Sequence, residues 1–148
     1  MKKTDKNGRG RLVSQVYEVL KRKVITLELR PGEFLHEKRL MEELKVGRTP
    51  LRESILRLKV EGLVEGEPNK SSYVKDISLP GTKDLVEALL IVEKNITYLA
   101  AQRATPAHVD RIREIEERLE EAVERENAWD INTLNFDFHE AIGRASGN

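Results

Sequence analysis

The apolar positions of this chain fall into a succession of helical stripes, broken by a short extended piece and, further on, by a hairpin. Leu12, Val16, Val19, Leu20, Val24 and Leu27 recur near i, i+4, i+7 and predict a first helix from Arg11. It should end before Arg30-Pro31-Gly32, because Pro31 disfavours α geometry at the residue before it. Residues 1–10 are polar, lysine-rich and glycine-punctuated, which predicts a solvated arm. Phe34 and Leu35 read as a short extended piece, and Leu40, Met41 and Leu44 suit a short helix over about 37–45. Leu51, Ile55 and Leu58, at i, i+4 and i+7, predict a further helix over about 48–61, stopped by Gly62. Either Gly47 or Thr49 could cap it. Residues 63–67 and 73–77 then read as two strands around a turn at 68–72.

Helix, tight turn at Lys45-Val46-Gly47, helix and hairpin is the order of a winged helix-turn-helix over residues 11–77. The alternative is an ordinary amphipathic surface helix with Pro50 in its first turn. What favours the former is the polar face. Arg48, Thr49 and Arg52 cluster on the first turn and a half, where a positive dipole end, a hydroxyl and guanidinium groups suit phosphates and base edges. Lys38 at the preceding helix start is placed for phosphate, and Lys70 at the hairpin tip for phosphate or a minor groove. A solvated turn lysine would look the same.

Beyond Ser78-Leu79-Pro80-Gly81, which reads as a linker, the pattern is helical throughout. Leu85, Ala88, Leu89, Val92, Ile96, Leu99 and Ala100 predict a helix over 84–104. Thr105-Pro106 is a start signal, with Thr as N-cap and Pro as first helical residue. Val109, Ile112, Leu119 and Val123 would be the apolar face of that helix, reaching about residue 127. Its Glu- and Arg-rich opposite face, with Glu114–Arg118 and Glu121–Arg125 at i, i+4, reads as solvated. A last helix from about Asp130 carries Leu134, Phe138, Ala141 and Ile142 and stops at Gly147. The fold class is therefore mostly α: a winged helix-turn-helix followed by an all-α bundle over residues 78–148.

Charge sharpens the division. The chain is formally neutral, but residues 1–77 hold 18 Lys and Arg against 12 Asp and Glu, whereas the remainder holds 8 against 14. A net +6 half joined to a net −6 half suggests a nucleic-acid-facing part and a part facing something else. With no cysteine there is no disulfide framework, thiolate metal site or cysteine nucleophile. No apolar run approaches the roughly 18 residues of a membrane span, and no signal-peptide core follows the basic N-terminus, so the cytoplasm is the expected compartment and no membrane partner is expected.

Several stretches together resemble the GntR family of bacterial transcription regulators, in its FadR-type branch. Leu29-Arg30-Pro31-Gly32-Glu33-Phe34-Leu35 with Glu37 and Leu40 resembles the family's L-x-P-G-x-x-L-x-E-x-x-L opening. Val46-Gly47-Arg48-Thr49-Pro50-Leu51-Arg52-Glu53 is close to its V-S-R-T-P-V-R-E, and Glu61-Gly62-Leu63-Val64 continues the match. In the second half, Val92-Glu93, Leu99-Ala100-Ala101, Thr105, Asn135-Phe136-Asp137-Phe138-His139 and Ala145-Ser146-Gly147-Asn148 resemble the family's helical FCD effector domain. The resemblance implies a ligand-responsive repressor, dimeric, on a two-fold related double-stranded operator. Arg48, Thr49 and Arg52 would enter the major groove, with Lys38, Lys70 and Ser71 at the backbone; Ser71 stands where the family usually has Gly. The effector would be a small carboxylate metabolite, although Leu89 stands where many relatives carry Arg. About three further helices would follow in a complete bundle, so the chain is expected to be C-terminally truncated and its second half loosely packed.

Asn135 and His139 stand at i, i+4 and share one helix face, a spacing that permits chelation of Zn²⁺ or Ni²⁺. Asn is neutral and two groups cannot close a coordination shell; the competing reading is His139 as a partly buried polar residue. His36 and His108, near helix starts, are expected to be exposed. No nucleophile–base arrangement emerges, so no enzyme is expected. A truncated regulator, or a winged helix serving as a protein-interaction module without effector response, is the alternative function.

Overall fold

A computed structural model of the chain describes residues 6–66 and 71–148. Contacts divide the described chain between Ile77 and Ser78 into two units. The first holds α1 (Lys6–Ile25), α2 (Glu37–Leu44), α3 (Arg48–Val60), β1 (Val64–Glu65) and β2 (Tyr73–Val74), and the second holds α4 (Leu79–Arg103), α5 (Pro106–Glu124) and α6 (Ala128–Ser146).

In the first unit, α1 and α3 pack against each other around Val16, Leu20, Leu51, Ile55 and Leu58, and Leu29, Leu35, Leu40, Val64 and Val74 complete the core. Ser54 is buried between them, its hydroxyl 2.8 Å from the Val13 carbonyl oxygen and 2.9 Å from that of Pro50. Val13, absent from the sequence-derived stripe, is 1% exposed, whereas Val19 is 41% exposed. At the other end of α3, the Tyr17 hydroxyl donates to Glu61 and Lys21 donates to both. That hydrogen bond from Tyr17, with the Lys21 ammonium beside it, holds the Glu61 carboxyl below its ordinary pKa.

The helix starts at Lys6 rather than Arg11, so residues 6–10 of the expected solvated arm are helical, and residues 1–5 of it lie outside the described residues. An Arg9–Glu53 ion pair ties this added N-terminal turn to α3, a long-range contact that periodicity does not report. Leu27 then adopts φ 61° where the chain reverses.

The hairpin strands are shorter than the expected 63–67 and 73–77. Val64 pairs with Val74 and Glu65 with Tyr73, antiparallel. The extended piece at Phe34 has a partner: Gly32 N–H donates to Val74 O and Leu35 N–H to Ser72 O, at 2.9 and 2.7 Å. β2 therefore lies between β1 and the segment ahead of α2, and Phe34 meets Tyr73 edge to face at 5.8 Å. The entry to the turn depends on Gly66, with φ +131°. A Cβ there would lie 2.7 Å from Ser71 O and 3.0 Å from Ser72 Cα, so only glycine lets the two arms close.

In the second unit α6 packs against both α4 and α5. Ser78 is the N-cap of α4, its hydroxyl accepting from Gly81 N–H, and Pro80 sits in the first turn, so the expected linker is the start of the helix. Thr105 caps α5 as expected, and His108 completes a capping box by accepting from Thr105 N–H, which leaves it half-buried rather than exposed. The α5 seam is Ile112, Ile115, Leu119 and Ala122. Val109 and Val123, expected in that face, are exposed. They lie roughly 120° and 80° around the helix from Ile115, beyond the reach of a single packing partner. Asn127 caps α6, and Gly147 ends it at φ 65°.

Glu93 meets His139 and Arg103 donates to Ser146 O at 2.8 Å, so α4 and α6 run in the same direction along this seam. Ahead of it Leu85, Leu89 and Val92 are exposed, and of the predicted α4 stripe only Ile96, Leu99 and Ala100 are covered.

Candidate nucleic-acid interface

α3 presents opposite faces to opposite tasks. Leu51, Ser54, Ile55 and Leu58 are buried, while Arg48, Thr49 and Arg52 are exposed together on its first turns. Of the alternatives left open by sequence, Gly47 is the N-cap (φ −76°, ψ 168°) and Thr49 lies inside the helix. Glycine has no side chain to occupy the first amides, and no side-chain cap hydrogen bond is made among the described residues. Pro50 has no N–H, so it is the Arg48 and Thr49 amides of the first turn that are left for an anion, where the helix dipole favours one.

Lys38, the second residue of α2, is also exposed. Arg52 is joined to α2 by an ion pair: its Nε–H lies 3.0 Å from both carboxylate oxygens of Glu37. The pairing of Glu53 with Arg9 turns the second acid of this surface toward α1. Arg57 donates to Ser14 at 3.2 Å, again toward α1. Ser71 is exposed where the wing turn returns toward β2, and Lys70 lies outside the described residues. Lys59 donates from α3 to Gly66 O at 2.8 Å and fixes the wing base to the end of the helix. Lys59 and Gly66 were not singled out by sequence, and Glu37 entered only as part of the family's opening motif, without a role. Gly66 had a detectable signal, a glycine at the mouth of a predicted hairpin.

The candidate metal residues are placed differently. Asn135 and His139 are both exposed on α6, and His139 Nδ1 is 3.0 Å from Glu93 Oε1. A carboxylate on Nδ1 would leave Nε2 as the ligating nitrogen. Among the described residues no group of three or more His, Cys, Asp or Glu converges, so these side chains do not fit a closed metal site. Beside α5 and α6, an open groove of about 230 Å³ is lined by His108, Arg111 and Arg144. Its arginines are already paired, Arg111 with Glu114 and Arg144 with Glu140, so it is not a free cationic receptor for a carboxylate.

A short helix, a tight turn, a second helix with an exposed basic N-terminus and a hairpin wing define a winged helix-turn-helix. The family model "Bacterial regulatory proteins, gntR family" matches residues 12–74, and that of the FCD domain matches residues 84–148. The chain belongs to the GntR family of bacterial regulatory proteins and carries an FCD domain. It is 33% identical over 115 residues to the Nta operon transcriptional regulator of Aminobacter aminovorans, covering 78% of this chain and 54% of that protein. To the HTH-type transcriptional repressor RspR of Escherichia coli K12 it is 27% identical, covering 86% of this chain and 56% of the other. The chain thus spans about half the length of these relatives. The solved structure of E. coli McbR/YncC superposes with a TM-score of 0.69 at 28% identity, covering 92% of this chain and 64% of that one. The relatives are transcriptional regulators, not enzymes.

Proposed function

We propose that this chain is a DNA-binding transcriptional regulator, a ligand-responsive repressor whose winged helix reads a double-stranded operator in the cytoplasm. The observation that carries the reading is the joint exposure of Arg48, Thr49 and Arg52 at the uncapped N-terminus of α3, above a buried opposite face. Arg48 and Arg52 suit guanine O6 and N7 in the major groove, and Thr49 suits a base edge or phosphate. Lys38 would hold the flanking phosphate and Ser71 and Lys70 the backbone beside the wing. The FCD unit would take a small-molecule effector. No helix among the described residues is long and apolar enough to cross a membrane.

One winged helix reads only a few base pairs, so useful specificity calls for two copies on a two-fold related site. Selection from a random duplex pool followed by footprinting tests this. The expected result is a pair of inverted half-sites protected together. Enrichment of no sequence, with the purified chain retaining only protein partners, would favour the interaction-module alternative. Enrichment of one short, unpaired site would overturn the dimer.

A further inference from the structure

The ion pair between Glu37 and Arg52 has little to offer the fold. Both side chains are substantially exposed, 34% and 57%, and an exposed pair of this kind contributes at most a small fraction of a domain's stability. Glu37 is also the first residue of α2, where an acid favours the helix dipole, but any carboxylate at that position would serve. On a surface proposed to meet phosphates, a glutamate beside Lys38 carries the wrong sign. Its geometry suggests why it is there. Both oxygens of the carboxylate share the Arg52 Nε–H at 3.0 Å. Among the described residues no other hydrogen bond is made by this guanidinium, so the carboxylate occupies its inner edge. The outer edge, Nη1 and Nη2, is left as a two-donor fork directed away from Glu37, and that fork matches the O6 and N7 acceptors of guanine.

We propose that Glu37 is a positioning residue for base recognition: it holds Arg52 in the end-on geometry that reads a guanine, at the expense of general phosphate affinity. The proposal rests on the DNA-binding reading above and adds to it a residue that touches no base itself. An arginine free to swing would find phosphate oxygens as readily as base edges. The tethered one is pre-oriented for the groove floor, so the acid converts non-specific attraction into selectivity.

The test measures, at one fixed salt concentration, the affinity of the full chain for two duplexes. One is the sequence that wild type enriches from a random pool; the other is a scramble of it. Glu37→Gln is expected to weaken binding to the enriched duplex about tenfold, the scale of one well-formed bidentate contact. It should leave unchanged or strengthen binding to the scramble, because an anion has been removed. Glu37→Asp, which keeps the acid on the first turn of α2 but shortens its reach, should show the same loss on the enriched duplex. In an Arg52→Ala background Glu37→Gln should cause no further loss. A purely structural role would instead lower affinity for both duplexes together and lower the melting temperature. Equal or greater affinity of Glu37→Gln for both duplexes, while Arg52→Ala alone weakens the enriched one, would overturn the positioning role and leave the DNA reading standing. If wild type prefers no duplex, both fall.

Discussion

Gly66 illustrates how a single residue can shape the proposed interface without touching DNA itself. Gly66 closes the wing because a Cβ would collide with the backbone at Ser71 and Ser72. Gly66→Ala is expected to cost about 1–3 kcal/mol through strain at a positive φ and to weaken DNA binding by displacing the wing. Thermal denaturation and a duplex titration on the same variant check both effects; an unchanged melting curve would contradict the close approach. Neither the clash nor the Lys59 tether could be read from spacing, since each joins residues across a turn or from the far end of α3. Arg48, Thr49 and Arg52 were legible, because their exposure follows from the helical phase of Leu51, Ile55 and Leu58. The Arg52–Glu37 pair was not, since it depends on how α2 crosses α3.

At the scale of elements, helix existence was written in the apolar stripes, and so were the ends marked by Gly62, Thr105 and Gly147, whereas the starts of α1 and α4 were not. Pro80 suggested a break, yet a proline in a first turn lacks only an N–H that the helix leaves unused, and Ser78 supplies the cap. The extra N-terminal turn of α1 is held by Glu53 from a different helix. The α5 seam was misassigned at Val109 and Val123 because a helix with one packing partner buries a narrower stripe than its sequence offers. Thr105 was recognised, and its capping box with His108 makes it testable: Thr105→Ala should cost about 1 kcal/mol of stability in the second unit. Hydrogen exchange of the α5 amides would register the loss, and unchanged protection would contradict the cap. The α1–α3 tie is testable by acid. Because the Glu61 carboxyl is held below its ordinary pKa, its contribution is present above the unfolded carboxylate range and is lost as pH falls through the folded value. Tyr17→Phe should therefore flatten the acid limb of the melting-temperature profile, by well under 1 kcal/mol given the exposure of Glu61.

Over the whole molecule, the break in charge between residues 77 and 78 coincides with the division into two structural units and separates the two family matches. The basic half carries every residue assigned to DNA. The acidic half carries Leu85, Leu89, Val92 and Phe136 exposed on its helices, and periodicity alone could not say which faces are covered. Beyond the Glu93 carboxylate that already engages the His139 imidazole, His139 and Asn135 belong to no group of three or more His, Cys, Asp or Glu among the described residues. Isothermal titration with Zn²⁺ is accordingly expected to give binding far short of the roughly 10–16 kcal/mol of a complete structural zinc site. Saturation at nanomolar metal would contradict that donor count.

The central claim is that the exposed basic N-terminus of α3 reads base sequence rather than merely attracting DNA. Its most direct measurement is the ratio of affinities for an enriched duplex and its scramble, at one fixed salt concentration, for wild type and for Arg52→Ala. The account predicts that Arg52→Ala loses about 1–3 kcal/mol on the enriched duplex and far less on the scramble, so that the ratio collapses. Equal losses on both duplexes, or none on the enriched one, would contradict it.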